Sequence, residues 1–127
     1  MKYGNLAGRI AVITGAAQGI GYATARLLGD YGCTVVIADV NLEKAKKAST
    51  ELQEAGIDAA ALEVDVIDKG SVNQMVAEVI NRYRKIDILI NNAGIVDSTA
   101  IPDLSLEAWD KVIDIDLRGT HLCSQAV

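Results

Sequence analysis

The sequence is poor in the residues from which metal and redox sites are built. It contains one histidine and two cysteines among 127 residues, and Cys33 and Cys123 lack the spacing of metal ligands or of a redox pair. We expect both cysteines to be reduced structural thiols, because disulfides are rare in a reducing compartment. His121 is expected to be a packing or surface residue, so no metal site is predicted.

Long apolar runs and an excess of positive charge are also lacking. Half of the residues (50%) are hydrophobic, yet no run approaches the length of a membrane span. Residues 1–8 lack the apolar core of a secretory signal. The net charge of −5 disfavours nucleic acid and anionic membrane surfaces as partners. The prediction is a cytoplasmic protein that forms a single domain over residues 1–127.

What the chain does contain is a regular alternation of apolar strands and amphipathic helices. Strands are predicted over 10–13, 34–39, 59–65 and 86–91. Helices are predicted from about residue 20, over 42–55, after a cap at Asp68 or Ser71, and after a cap at Ser105. The one proline, Pro102, falls in a loop over 95–104. This alternation predicts an α/β fold, a Rossmann-type parallel sheet of strand order 3-2-1-4 with helices on both faces.

Folds of this kind normally have two βαβαβ halves. We expect this chain to hold the first half and to be truncated after the start of the fifth helix. The fourth strand would then present an unpaired edge and the last helix an uncovered face, which predicts self-association through both. The alternative is a proteolytic or gene-level truncation whose remainder was lost.

A glycine-rich turn joins the first strand to the first helix. Its glycines meet three needs of a dinucleotide site, namely a tight turn, a close approach of the backbone to the pyrophosphate, and close packing of the helix. The unpaired N–H groups and the positive dipole end of the helix attract phosphates. The cofactor contacts predicted here are Gly15, Ala17, Gln18, Gly19, Ile20 and Gly21. The inward stripe of this helix is predicted as Ile20, Ala23, Leu27 and Tyr31. The alternative is a turn without a ligand.

Asp39 ends the second strand, 18 residues after Gly21. A carboxylate at that place accepts hydrogen bonds from both hydroxyls of the adenosine ribose and repels a 2′-phosphate. Neither Gln18 nor Val40 supplies the cation that a 2′-phosphate would need. NAD is therefore predicted in preference to NADP, with contacts from Asp39 and Val40. A strand-end turn aspartate is the alternative.

The spacing Gly-x-x-x-Gly-x-Gly after Thr14, together with Asn91-Asn92-Ala93-Gly94 after the fourth strand, resembles the short-chain dehydrogenase/reductase family, classical type. The resemblance covers essentially the whole chain and matches the N-terminal half of the family. It implies that Asn91 ties the strands together. It also implies adenine contacts from Asp65 and Val66, and cofactor ribose contacts from Asn92, Ala93 and Gly94. The alternative for the segment after the fourth strand is an ordinary polar turn.

The chain departs from the family pattern in two ways. The catalytic Tyr-x-x-x-Lys and its preceding serine are missing from the 127 residues. Asp116 stands where members usually carry an asparagine that helps to hold a water in the proton relay, at a local helix distortion. The predicted apolar stripe of this helix comprises Trp109, Val112, Ile113, Asp116, Leu117 and Thr120. An inward carboxylate is costly unless it is paired, so Asp116 is either functional in an intact parent or a tolerated substitution.

The resemblance implies a nicotinamide-dependent oxidoreductase, in which hydride passes between NAD(H) and an alcohol or carbonyl carbon of the substrate. Because the proton-transfer groups are missing, no turnover is expected from this chain alone. The alternatives are a non-catalytic nucleotide-binding module and an oligomerisation or interaction protein. A methyltransferase also places an acid after its second strand, but the spacing from Thr14 to Gly21 and the segment Asn91–Gly94 disfavour it.

Overall fold

The computed structural model describes residues 4–127, which form a parallel sheet flanked by helices. The strands are β1 (Ile10–Thr14), β2 (Thr34–Asp39), β3 (Ala59–Glu63) and β4 (Ile88–Ile90). The helices are α1 (Gly19–Asp30), α2 (Leu42–Glu54), α3 (Lys69–Tyr83), α4 (Leu106–Val112) and α5 (Gly119–Ala126). The strand order is β3-β2-β1-β4, which confirms the predicted topology. The predicted lack of a signal segment falls partly on residues 1–3, outside the described residues.

The sheet has a buried core on each of its faces. Successive side chains of a strand point to opposite faces, so Ala11 and Ile13 of β1 join one core, and Ile10 and Val12 join the other. The first core is closed by residues of α1 and α2: Ala25, Ala45, Ala48 and Leu52. The second is closed by residues of α3 and α5: Val72, Met75, Val79 and Cys123. Helices therefore cover both faces, as predicted.

The cysteines lie in different cores. Cys33 belongs to the core under α1 and α2, and Cys123 to the core under α3 and α5, so the sheet separates the two thiols. Burial raises the pKa of both thiols, with a further contribution from the charge of Asp87 at Cys33. Both are buried thiols without a disulfide, as predicted, and His121 is an exposed surface residue.

The predicted inward stripe of α1 is wrong. Ile20 and Leu27 are 80% and 58% exposed, whereas Gly21 and Ala25 are buried. A side chain at Gly21 would collide with the Asn92 side chain. The helix therefore lies close to the sheet on its smallest residues, which a pattern of large apolar residues does not detect.

The last helix is interrupted, and its predicted stripe is also wrong. A π-helical turn over Ile113–Arg118 separates α4 from α5. A π turn has i to i+5 hydrogen bonds and so shifts the phase of all later side chains relative to a period of 3.6. Leu117 is consequently 65% exposed, and Asp116 is exposed instead of facing inward. Trp109, which lies before the turn in α4, is also 51% exposed.

The ends of two strands also differ from expectation. β3 ends at Glu63 and not at residue 65, because its ladder with β2 stops where Asp39 pairs with Glu63. β4 spans only Ile88–Ile90, which pair with Ala11–Ile13 of β1. The segment 95–104 contains a short 3₁₀ turn at Ile101–Asp103, and Ser105 caps α4 by accepting the Ala108 N–H. Among residues 4–127, no helix has the length and apolar character to cross a membrane.

Asp87 joins β1 to β4 at the amino end of the sheet. Its carboxylate accepts the Ile10 N–H at 2.8 Å. It also forms ion pairs with Arg9 and Lys85, each at 3.0 Å. The backbone N–H of Asp87 donates in return to the Ile10 carbonyl at 2.9 Å. This cluster fixes the register of β4, the shortest strand, at the end opposite to the candidate site.

Candidate functional site

A cleft of about 560 Å³ opens at the carboxyl ends of the strands, where open parallel sheets bind ligands. Every predicted cofactor residue except Ala17 and Gly21 lines it. The lining residues are Gly15, Gln18, Gly19, Ile20, Asp39, Val40, Val64, Asp65, Val66, Asn92, Ala93, Gly94, Ile95 and Ile115. The cleft therefore brings together the predicted segments that follow all four strands.

The glycine turn forms the middle of the cleft. Gly15 and Gly19 both have φ of +63°, the left-handed region that favours glycine. An added Cβ on Gly15 would lie 2.8 Å from the Ala93 Cα, so the turn is packed against the segment after β4. An added Cβ on Gly19 would meet no atom within 4 Å. The backbone at Gly19 is thus open to the cleft, while Gly21 lies beneath it against Asn92.

The amino end of α1 forms the floor beside this turn. Gln18 occupies the N-cap position, and within the described chain its side chain makes no capping hydrogen bond. The first turn of the helix contains no acidic residue. The 12-residue helix therefore presents its first N–H groups and the positive end of its dipole without competition from an internal carboxylate. This arrangement suits an anion such as a pyrophosphate.

Hydrogen bonds tie the turn after β1 to the end of β4. The Thr14 hydroxyl donates to the Ile90 carbonyl at 3.4 Å and accepts the N–H groups of Asn92 and Ala93 at 3.1 and 3.0 Å. The Asn92 side-chain amide donates to the carbonyls of Thr14 and Gly15, both at 3.0 Å. These bonds hold two walls of the cleft in a fixed relation.

The family resemblance implied that Asn91 ties the strands together. In the structure Asn92 makes the hydrogen bonds that do so. The Asn91 side chain donates instead to the Ser124 hydroxyl of α5 at 3.0 Å. The side-chain NH2 group of Asn92 already donates to two carbonyls. What this segment offers to a ligand is therefore the Asn92 side-chain oxygen, the backbone, and the space beside Ala93 and Gly94.

Asp39 is oriented by the backbone on both sides of it. One carboxylate oxygen accepts the Ala17 N–H at 3.2 Å, and the other accepts the Asn41 N–H at 3.0 Å. Ala17 therefore supports the cleft through Asp39 although it does not line it. Each carboxylate oxygen has a further lone pair, and Asp39 is partly exposed in the cleft wall. The carboxylate is thus held ready to accept two additional hydrogen bonds.

Asp65 and Val66 form the wall beyond Asp39. The Asp65 carboxylate accepts the Ile67 N–H at 3.2 Å, and the Asp65 N–H donates to the Ser71 hydroxyl at 2.9 Å. Val66 is buried, and an added Cβ on Gly119 would lie 2.6 Å from its side chain. The absence of a side chain at Gly119 lets α5 approach this wall.

Asp116 lies behind the wall of the cleft that Gly94 and Ile95 form. One of its carboxylate oxygens accepts the Ile95 N–H at 2.9 Å. An added Cβ on Gly94 would lie 3.3 Å from the same oxygen. The π-helical turn brings Asp116 to this position, and the next residue back, Ile115, itself lines the cleft.

Sequence reasoning missed three lining residues: Val64, Ile95 and Ile115. Val64 precedes the predicted Asp65, and Ile95 follows the predicted Gly94, so adjacency was an available signal for both. Nothing in the helical periodicity pointed to Ile115, because the π turn that presents it breaks the period.

Comparison with known proteins places this architecture in a family. The model of the short chain dehydrogenase family matches residues 9–127. The chain therefore belongs to the short-chain dehydrogenase family, whose members bind nicotinamide cofactors.

The most similar relatives include dehydrogenases of different substrates. A sorbitol dehydrogenase of Cereibacter sphaeroides is 41% identical over 96% of this chain and 46% of its own length. An NAD-dependent glycerol dehydrogenase of Listeria innocua is 37% identical over 97% of this chain and 47% of its own. The crystal structure of an actinorhodin polyketide ketoreductase variant with NADPH has a TM-score of 0.90 and 34% identity, over 93% of this chain and 45% of that one. The chain spans about half the length of the curated relatives it matches.

Proposed function

We propose that this chain binds NAD(H) as the cofactor-binding part of a dehydrogenase that transfers hydride between the nicotinamide and an alcohol or carbonyl carbon. The observation that carries the proposal is Asp39, held by two backbone N–H groups beside the glycine turn. The relatives include one named as NAD-dependent and one crystallised with NADPH. The choice between the two cofactors therefore has to be argued from the residues of this chain.

Asp39 favours NAD. Its remaining lone pairs suit the two hydroxyls of an adenosine ribose, and its charge opposes a 2′-phosphate at the same place. Val40 and Gln18, which flank this position in the cleft, are uncharged. In this proposal Asp65 and Val66 contact the adenine, further along the same wall.

The pyrophosphate is assigned to the amino end of α1. Gly15, Gly19 and Ile20 line the cleft there, and the uncapped first turn supplies N–H donors and a positive dipole end. Ala17 and Gly21 act from beneath, through Asp39 and through Asn92. A bound nicotinamide supplies hydride chemistry, and the residues assigned to its ribose are Asn92, Ala93 and Gly94.

We expect no catalysis from these 127 residues alone. They contain no Tyr-x-x-x-Lys, so a group that would exchange the substrate proton is missing from this chain. We therefore expect cofactor binding without turnover from the isolated chain. Turnover of substrate by the isolated chain would contradict this expectation. Binding without turnover also fits the second candidate, a non-catalytic nucleotide-binding module.

Asp39→Ala tests the cofactor assignment. The substitution removes an acceptor for two ribose hydroxyls, so we expect NAD affinity to fall by roughly tenfold or more and the preference over NADP to shrink. Isothermal titration with NAD, NADP, ADP-ribose and S-adenosylmethionine measures this. Asp30→Ala, which removes an exposed carboxylate at the far end of α1, is the matched control. Unchanged selectivity in the Asp39 variant, or preferential binding of S-adenosylmethionine, would exclude the assignment.

We also propose that the chain self-associates through β4 and the last helices. Within the described residues β4 pairs only with β1, which leaves its other edge without a strand. Leu106, Trp109 and Leu117 are all more than half exposed on the helices that follow. An unpaired strand edge beside exposed apolar side chains favours pairing with another chain.

A further inference from the structure

A carboxylate stands directly behind the wall of the cleft that is farthest from Asp39. The Asp116 carboxylate accepts the Ile95 N–H at 2.9 Å and would lie 3.3 Å from a Cβ on Gly94. Gly94 and Ile95 both line the cleft. The backbone at Gly94 and Ile95 therefore lies between this carboxylate and the space that a ligand would occupy.

No cation offsets this charge within residues 4–127. Asp116 forms no ion pair there, and Arg118, two residues later, is 3.5 Å from Asp114. The other Asp116 oxygen receives no hydrogen bond from the described part of the chain, so the charge is not dispersed by further donors. Its field acts on whatever lies in this end of the cleft.

The strand order decides which part of a dinucleotide that is. Asp39 follows β2, the glycine turn follows the adjacent β1, and the segment from Asn92 to Ile95 follows β4 on the other side of β1. This step rests on the proposed function. With the adenosine ribose at Asp39 and the pyrophosphate at the glycine turn, the nicotinamide nucleoside extends to the β4 side, next to Gly94 and Ile95.

We propose that Asp116, through its charge behind Gly94 and Ile95, makes the cleft bind the oxidised cofactor more tightly relative to the reduced one. The nicotinamide ring is cationic in NAD⁺ and neutral in NADH, while the adenosine, pyrophosphate and both riboses are the same in the two. Every contact of those shared parts cancels in the ratio of the two dissociation constants. A carboxylate at the nicotinamide end does not cancel, because it attracts only the oxidised ring.

The consequence concerns the direction of the reaction. A site that binds NAD⁺ more tightly than NADH lowers the reduction potential of the bound couple, by linkage. Bound NADH is then a stronger hydride donor than free NADH. The NADH that forms when an alcohol is oxidised also dissociates more readily than NAD⁺ does. Asp116 is thus a specificity-determining residue for the redox state of the cofactor.

Asp116→Asn is the test, made in the purified protein at its natural length. An asparagine keeps the oxygen that accepts the Ile95 N–H and removes the charge. We expect the ratio of the dissociation constants of NAD⁺ and NADH to rise roughly three- to tenfold, with the dissociation constant of ADP-ribose unchanged. Asp110→Asn is the matched control, because Asp110 forms no ion pair in the described chain and lines a different cavity, with Ile67 and Lys111.

The salt dependence of the ratio of the NAD⁺ and NADH dissociation constants in the unsubstituted protein is a second test, which needs no variant. This ratio should move toward that of Asp116→Asn between low salt and about 0.5 M NaCl, because salt screens an exposed charge. An unchanged ratio in Asp116→Asn, or an equal shift in Asp110→Asn, would overturn the proposal while leaving the proposed function intact. Failure of ADP-ribose and both cofactors to bind the unsubstituted protein would refute the proposed function, and this inference with it.

Discussion

Asp39 and Asp87 are both aspartates at strand ends, yet their surroundings give them different roles. Asp39 lies at the carboxyl end of β2, where two backbone N–H groups orient it and leave part of it exposed to the cleft. Asp87 lies at the opposite end of the sheet and is only 13% exposed, with Arg9 and Lys85 on its two oxygens. The Asp39 carboxylate is available to a ligand, whereas the Asp87 carboxylate is fully engaged in contacts that stabilise the fold.

Asp87 predicts a specific acid sensitivity. The Ile10 N–H, followed by the Lys85 ammonium, lowers the pKa of Asp87 from 3.8 to about 2. A lowered folded-state pKa means that the stabilisation is complete above pH 3.8 and is lost as the pH falls toward 2. Asp87→Asn should therefore be less stable at neutral pH and should lose less stability across that acid window, as measured by urea unfolding at each pH.

The control for this prediction is Asp30→Asn, in which an exposed aspartate without an ion pair in the described chain is neutralised. It should retain the acid transition of the unsubstituted protein. If Asp87→Asn retains that transition as well, another carboxylate is responsible for it.

At the scale of elements, the sequence predicted the order of strands and helices better than the faces of the helices. The apolar runs of β1 and β2 are buried on both sides, so their assignment did not depend on a period. The face of α1 was predicted wrongly because Gly21 and Ala25, and not the large apolar residues, contact the sheet. The face of the last helix was predicted wrongly because a π turn cannot be read from a pattern that assumes 3.6 residues per turn.

The end of α3 carries an identifiable strain. Arg84 follows this helix with φ of +70°, and it is the only residue other than glycine with positive φ among residues 4–127. Arg84→Gly should raise the free energy of unfolding by about 0.5–1 kcal/mol, because glycine removes the left-handed penalty but loses more entropy on folding. Urea unfolding measures the change.

Arg82→Gly is the matched control for Arg84→Gly. It makes the same substitution two residues earlier, inside α3, where glycine costs about 1 kcal/mol. Opposite signs for the two variants are expected. Destabilisation by both would mean that the Arg84 side chain contributes more than its backbone conformation costs.

At the scale of the whole molecule, the proposed self-association is open to direct measurement. Light scattering with size-exclusion chromatography should give a mass of at least two chains, and Leu117→Lys should reduce it by placing a charge on the exposed apolar surface. Leu27→Lys is the control, because Leu27 is similarly exposed but lies on α1. A monomer at every concentration tested would exclude association.

The cleft itself belongs to this scale, since its walls come from segments after four different strands. Sequence reasoning could assemble most of it because strand order brings the segments at 15–21, 39–40, 65–66 and 92–94 to one edge of the sheet. It could not assign the tie to Asn92 in preference to Asn91, because adjacent residues differ in orientation only through the local backbone. The contribution of Ile115 likewise depends on the π turn.

The bonds from Thr14 and Asn92 also set an order of events for the growing polypeptide. They join residues 78 positions apart in sequence, and loop closure over such a separation is slow compared with the formation of α1 or of a neighbouring strand pair. A chain leaving the ribosome can form β1, α1 and β2 long before residue 92 has been synthesised. The glycine turn thus exists at first with only part of its surroundings. It gains its neighbours at residues 92–94 when β4 pairs with β1, and the cleft is complete only when Ile115 has also packed against it.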